Sequence, residues 1–189
     1  KIVYMSNYTK NIKWDYTKAI PIHRNSTLIV GIVGIGRIGK AFAKRVNVLG
    51  CKVIAYDPNF DKIIEDCRSF VKSDSMEELL DTSDIISIHS PSDNTIDIFN
   101  DKAFNRMKKT AYIINTARGG IINEDSLIRA LSQGKIAGAA IDVAQKEPMS
   151  SDAQLFQHEN VICTPHMAWY SEESAFELKR KVTEEAVRF

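Results

Sequence analysis

The stretch "LIVGIVGIGRIGKAFAKRV", residues 28–46, limits the folds open to this chain more than any other segment. An apolar, β-branched run ends at Gly34. Gly36 and Gly39 follow, and apolar residues then recur at the helical spacing of Ile38, Phe42, Val46 and Leu49, closing on Gly50. Strand, glycine turn and helix in that order form a dinucleotide-binding fingerprint, whereas the same glycines in another context would carry little weight. Gly34 would permit the tight turn, Gly36 the approach of backbone to a pyrophosphate, and Gly39 close helix–strand packing. Free N–H groups and the positive end of the helix would face the phosphates, and Arg37 could add a charge-assisted contact.

The next apolar run, "KVIAYD" (52–57), ends in Asp57, close to the roughly 20-residue spacing expected of the acid that holds the adenosine ribose. Pro58 and Asn59 follow, with no adjacent arginine for a 2′-phosphate, so NAD is favoured over NADP. The alternative is a glycine turn followed by a capping aspartate, with no ligand.

Further strand candidates are "TLIVGIVG" (27–34), "SFV" (69–71), "DIISIH" (84–89), "AYIIN" (111–115), "IAGAAIDV" (136–143) and "NVICT" (160–164). They are continuous apolar runs, which suits a parallel sheet covered on both faces. Helices are expected after Ser75, with Glu78 completing a capping box, and after Asn100 and Asn123. Repeated β-α-β order predicts a doubly wound parallel α/β sheet, the Rossmann fold. Residues 1–26 read as a helix and arm, 27–170 as the dinucleotide domain, and 171–189 as the start of a return helix.

With 44% hydrophobic and 26% charged residues and a net charge of +1, the 189-residue chain has no electrostatic footprint for nucleic acid or an anionic membrane. No apolar run approaches the roughly 20 residues of a membrane span. The three cysteines follow no metal-ligand spacing. Cys51 and Cys163 lie in apolar runs and read as buried thiols, consistent with a reducing cytoplasm.

Ligands in this architecture gather beyond the carboxyl ends of the strands. The polar residues there are His89-Ser90-Pro91, Asn115 to Gly120, Asp142 leading to Glu147, and Thr164-Pro165-His166. Reduction of a ketone by hydride needs a proton donor, and a histidine suits that task. His166 is the candidate, Glu147 its orienting carboxylate, and Arg118 the cation for a substrate carboxylate. Each has a plainer reading: His166 as a turn residue, Glu147 as a loop acid, Arg118 as a surface residue and Asp142 as a turn cap. A contact near the nicotinamide is the favoured reading of Asp142, and His89 reads as structural.

Together, "GIVGIGRIGK", "YDP", "NTARGGIINEDSLIRALSQGKIAGAAIDV", "EP" and "TPH" resemble the D-isomer-specific 2-hydroxyacid dehydrogenases, which include D-3-phosphoglycerate dehydrogenase. "VICTPHMAWYSEES" is similar to the C-terminal-binding-protein branch, which holds NAD(H)-sensing corepressors as well as dehydrogenases. The resemblance implies that Arg118 binds the substrate carboxylate, Glu147 pairs with the histidine and His166 donates the proton. It places Arg37 and Ile38 at the pyrophosphate and Asp57 at the ribose. Ser90, Pro91, Thr95, Thr116, Ala117, Arg118, Asp142 and His166 would line the cofactor, and Trp169 would touch the substrate side chain. It also implies a homodimer, with residues 1–20 as contact surface, and a small 2-oxo acid as substrate. The loop "HSPSDNTIDIFND" is a residue shorter than the family's usual one. The chain is expected to be the cofactor domain without most of the substrate domain, binding NAD but turning over substrate poorly by itself.

Overall fold

The computed structural model describes residues 1–60, 68–91 and 95–188. Its strands are β1 (Ile29–Val33), β2 (Lys52–Tyr56), β3 (Val71–Lys72), β4 (Ile85–Ile88), β5 (Tyr112–Asn115), β6 (Gly138–Ile141) and β7 (Val161–Cys163). They form one sheet in the order β3-β2-β1-β4-β5-β6-β7, and every pairing is parallel. The sequence order therefore reverses between β1 and β4, where the chain crosses from one half of the sheet to the other.

The helices are α1 (Ile2–Asn11), α2 (Arg37–Val48), α3 (Met76–Thr82), α4 (Asp101–Arg106), α5 (Glu124–Ser132) and α6 (Glu172–Arg188). Two cores flank the sheet. On one face α2 buries Ala43 and Val46 against Val30, Ile32, Val53 and Ala55. On the other, α3, α4 and α5 bury Leu79, Phe104 and Leu127 with Ile86, Ile88 and Ile113. That arrangement explains the continuous apolar runs, since central strands have no wet face.

Helix starts follow the expected side chains. Asn100 accepts from the Lys102 N–H, and Asn123 from the Ser126 N–H. Ser75 accepts from the Glu78 N–H at 3.0 Å, the first half of the capping box expected there. The Glu78 carboxylate accepts from the Asp74 N–H at 2.7 Å and the Ser73 hydroxyl at 2.8 Å, and these contacts, with a weaker one to the Ser75 backbone, lower its pKa.

Most strands are shorter than the apolar runs suggested: Asp57, His89, Asp142, Val143 and Thr164 lie beyond the ends of their strands, whereas Asn115 stays in the ladder as the last residue of β5. The strand expected at 69–71 lies at Val71–Lys72, and Phe70 turns into the core instead. Cys51 is buried, whereas Cys163 is only half-buried; Cys67 falls outside the described residues. Before β1 the chain forms α1 and two short 3-10 turns, Tyr16–Ala19 and Asn25–Thr27. Neither α1 nor α6 contains a buried residue. Among the described residues no helix is long and apolar enough to cross a membrane.

Candidate active site

The glycine turn lies at the reversal of strand order. Gly34 follows β1 with φ of 91°, a left-handed conformation that side chains other than glycine rarely adopt. A Cβ there would also lie 2.7 Å from the Ser90 N, so the turns after β1 and β4 touch. The Ser90 hydroxyl donates to the Val33 carbonyl at 3.2 Å, tying the same two strand ends. A Cβ on Gly39 would lie 2.2 Å from the Gly34 carbonyl oxygen, whereas one on Gly36 would meet nothing within 4 Å. Gly36 caps α2 without any side-chain hydrogen bond, and Arg37 and Ile38 are exposed beside it. Open space before uncapped helix N–H groups is the geometry that a pyrophosphate requires.

Asp57 ends the next strand, as expected, but its carboxylate has protein partners. One oxygen accepts from the Ile35 N–H at 3.0 Å and the other from the Asn59 N–H at 2.8 Å. The side chain thus braces the glycine turn. An ionised carboxylate offers about four acceptor sites, so ribose hydroxyls can share it.

At the other end of the crevice stands His166. Its φ is 52°, and its N–H donates to the Asp142 carbonyl at 2.8 Å. The ring Nδ1 lies 2.7 Å from Glu147 Oε2, while Glu147 Oε1 accepts from the Ala144 N–H at 3.0 Å. These two contacts, the histidine first, hold the Glu147 carboxyl below its ordinary pKa. With Glu147 ionised, the paired Nδ1 carries the proton and Nε2 points away from the pair.

Asp142 is buried beneath this turn. It accepts from the Thr164 hydroxyl at 2.6 Å and from the N–H groups of Met167 and Ala168, each at 2.9 Å. Burial pushes its pKa upward, but the three hydrogen bonds together outweigh burial and leave it lowered. Asp142, read from the sequence as a nicotinamide contact, has both oxygens engaged in shaping the histidine turn. Trp169 also braces that turn, donating from Nε1 to the His166 carbonyl at 2.9 Å. A cavity of about 580 Å³ opens beside the pair, lined by Asp142, Glu147 and His166 and by the apolar Met149, Phe156 and Pro148.

Arg118 lies on the loop after β5. Asn115 shapes that loop, accepting from the Ala117 N–H at 3.0 Å and donating to the Arg118 carbonyl at 2.9 Å. This is the local side-chain turn that asparagine favours. Thr116 and Arg118 are exposed, Ala117 is half-buried, and the guanidinium donates to the Ala117 carbonyl at 2.7 Å. Among the described residues no hydrogen bond or ion pair joins Arg118 to Glu147 or His166, although all three follow neighbouring strands at one edge of the sheet. Pro91 is exposed, and its carbonyl accepts from the Thr95 hydroxyl. His89 is packed on Phe42 with its ring 3.0 Å from the Ser87 hydroxyl, and burial lowers its pKa. Sequence reasoning missed Thr164 and Gln145 as supports of the site. Thr164 had a signal, a hydroxyl beside the histidine, but nothing local marked Gln145.

A parallel sheet with a glycine turn at its switch point and a carboxylate-held histidine at the same edge defines a dinucleotide-binding domain of the dehydrogenase class. Residues 1–168 match the model described as "D-isomer specific 2-hydroxyacid dehydrogenase, NAD binding domain". The chain belongs to that family. It is 38% identical over 160 residues to a glyoxylate reductase of Thermofilum pendens, covering 84% of this chain and 46% of the relative. Against a D-3-phosphoglycerate dehydrogenase of Archaeoglobus fulgidus it is 36% identical, covering 99% of this chain and 35% of the relative. The chain therefore spans less than half the length of these relatives. A D-lactate dehydrogenase from Aquifex aeolicus, complexed with NAD and lactic acid, superimposes with a TM-score of 0.85 at 29% identity. That match covers 99% of this chain and 61% of the other.

Proposed function

We propose that this chain is the cofactor domain of an NAD-dependent dehydrogenase that interconverts a D-2-hydroxy acid and its 2-oxo acid. The observation that carries the reading is the 2.7 Å pairing of His166 Nδ1 with Glu147 Oε2 at the carboxyl edge of the sheet. Bound nicotinamide supplies the hydride for reduction of the 2-oxo acid or accepts it in the reverse direction.

The chain's own groups handle the rest. Glu147 keeps the imidazole in one orientation, so that Nε2 holds the proton given to the carbonyl oxygen during reduction. Arg118, always charged and able to form two parallel bonds, receives the substrate carboxylate. Gly34, Gly36 and Gly39, with Arg37 and Ile38, receive the pyrophosphate, and Asp57 the ribose. Ser90, Pro91, Thr95, Thr116, Ala117 and Asp142 belong to the cofactor wall. Trp169, exposed beside the histidine turn, would touch the substrate side chain in this reading. Residues 1–26 and 171–189 flank the dinucleotide domain, 27–170, in this reading. A homodimer belongs to the same reading, supported by the exposure of Ile2, Trp14 and Tyr16.

Relatives named for glyoxylate, D-lactate and D-3-phosphoglycerate all act on small 2-hydroxy or 2-oxo acids, which supports that substrate class. D-3-phosphoglycerate stands among the candidates. The test is consumption of NADH by the full-length protein with a panel including glyoxylate, pyruvate and 3-phosphohydroxypyruvate. Turnover with at least one acid is expected, along with a preference over NADPH. His166→Gln is expected to lower kcat by about 10²- to 10⁴-fold, the scale of a general acid. Tight NADH binding with no turnover on any acid would overturn the proposal.

A further inference from the structure

We propose that Gln145 is a positioning residue that locks the loop carrying Glu147 against the loop carrying Arg118. The inference rests on the dehydrogenase reading above, and it concerns how the site keeps its cation and its acid/base pair in one geometry. Since Arg118 has no described bond to Glu147 or His166, its placement relative to them must come from the backbones of the two loops.

Those backbones meet at Gly119. A Cβ there would lie 1.9 Å from the Ala144 carbonyl oxygen and 2.6 Å from the Gln145 N, so only a residue without a side chain allows the approach. The side chain of Gln145 then closes the contact from the other loop. Its Nε2 donates to the Ile122 carbonyl at 3.1 Å and, at a longer 3.4 Å, to Asp97 Oδ1. Both acceptors belong to one strip. The Asp97 N–H donates to the Gly120 carbonyl at 2.9 Å, and the Phe99 N–H donates to the Ile121 carbonyl at 3.2 Å. On the far side of Gln145 the linkage continues through the Ala144 N–H to Glu147 Oε1, and through Oε2 to His166. Arg118, Gly119, Ala144, Gln145, Glu147 and His166 thus form a contiguous chain of contacts. Displacement of about 1 Å at a reacting centre can cost about a hundredfold in rate, so a bracket of this kind affects turnover without touching substrate.

Full-length Gln145→Met, which keeps the length of the side chain but removes its N–H donors, tests the proposal. Its kcat is expected to fall about two- to tenfold, the scale of one hydrogen bond, with the NADH dissociation constant unchanged. Hydrogen exchange is expected to rise in segments 118–122 and 143–147 and nowhere else. Gln145→Lys, which restores a donor toward the Ile122 carbonyl and the Asp97 carboxylate, is expected to recover most of the loss. Wild-type kcat and exchange in Gln145→Met would overturn the inference. So would a parallel loss of NADH binding and kcat, which marks general destabilisation. Absence of 2-oxo-acid turnover in the wild type would instead overturn the dehydrogenase reading, and the exchange measurement would still decide whether Gln145 joins the loops.

Discussion

Asp142 shows how a single buried carboxylate can serve a neighbouring residue's chemistry. Its three donors hold a turn whose histidine sits at positive φ, a conformation that persists only where surrounding contacts impose it. Asp142→Asn places an amide N–H₂ where one oxygen had accepted, and one of the turn's donors loses its partner. The variant is expected to lose about 1–3 kcal/mol of stability at neutral pH, the scale of a buried donor left unpaired, measurable by thermal or denaturant unfolding. Because the folded-state pKa of Asp142 is lowered, its contribution is present above the unfolded value of about 3.9. That contribution is lost as pH falls through the lower folded value. The stability gap between wild type and Asp142→Asn is therefore expected to close in acid and to stay open from pH about 5 upward. A gap that widened in acid would contradict the hydrogen-bonded, ionised state.

At the scale of elements, the β1–turn–α2 unit separates two glycines that packing requires from a third, Gly36, that faces open space. Gly39→Ala drives a methyl group into the Gly34 carbonyl and is expected to lower both stability and NADH affinity. Gly36→Ala meets open space at φ of −67°, so stability should change by no more than roughly 0.5 kcal/mol. NADH affinity is still expected to fall, because the added methyl occupies the approach of the pyrophosphate. Paired unfolding and NADH titration of the two variants check this separation. The positions of all three glycines were legible in the sequence, since a turn needing φ above zero and close packing has few residue choices. The tight turn at Gly34 and the close packing at Gly39 were legible as well, whereas the contact of Gly34 with Ser90, 56 residues beyond it, was not, because it exists only where the turns after β1 and β4 meet.

For the whole molecule, two cores on opposite faces make the sheet a rigid frame and leave its carboxyl edge for loops. Ile113 is fully buried at the middle of β5, and Ile113→Ala is expected to cost about 2–5 kcal/mol by unfolding. Val71 on the edge strand β3 is 68% exposed, and Val71→Ala should cost far less. The order β3-β2-β1-β4-β5-β6-β7 brings the turn after β1 beside the turn after β4 and sets the loops after β5, β6 and β7 in a row. A histidine, a glutamate and an arginine from three of those loops therefore share one edge.

The sequence by itself determined the strand-and-helix order, the glycine turn, the candidate residues and the likeness to 2-hydroxyacid dehydrogenases. All of these reside in local periodicity, turn chemistry or contiguous motifs. Only the tertiary structure decided that Asp57 braces the glycine turn, that Asp142 and Trp169 hold the turn of His166, and that Gln145 bridges two loops. Such contacts join residues far apart in the chain, and a polar side chain takes whatever partner the packed strand ends bring within hydrogen-bonding reach.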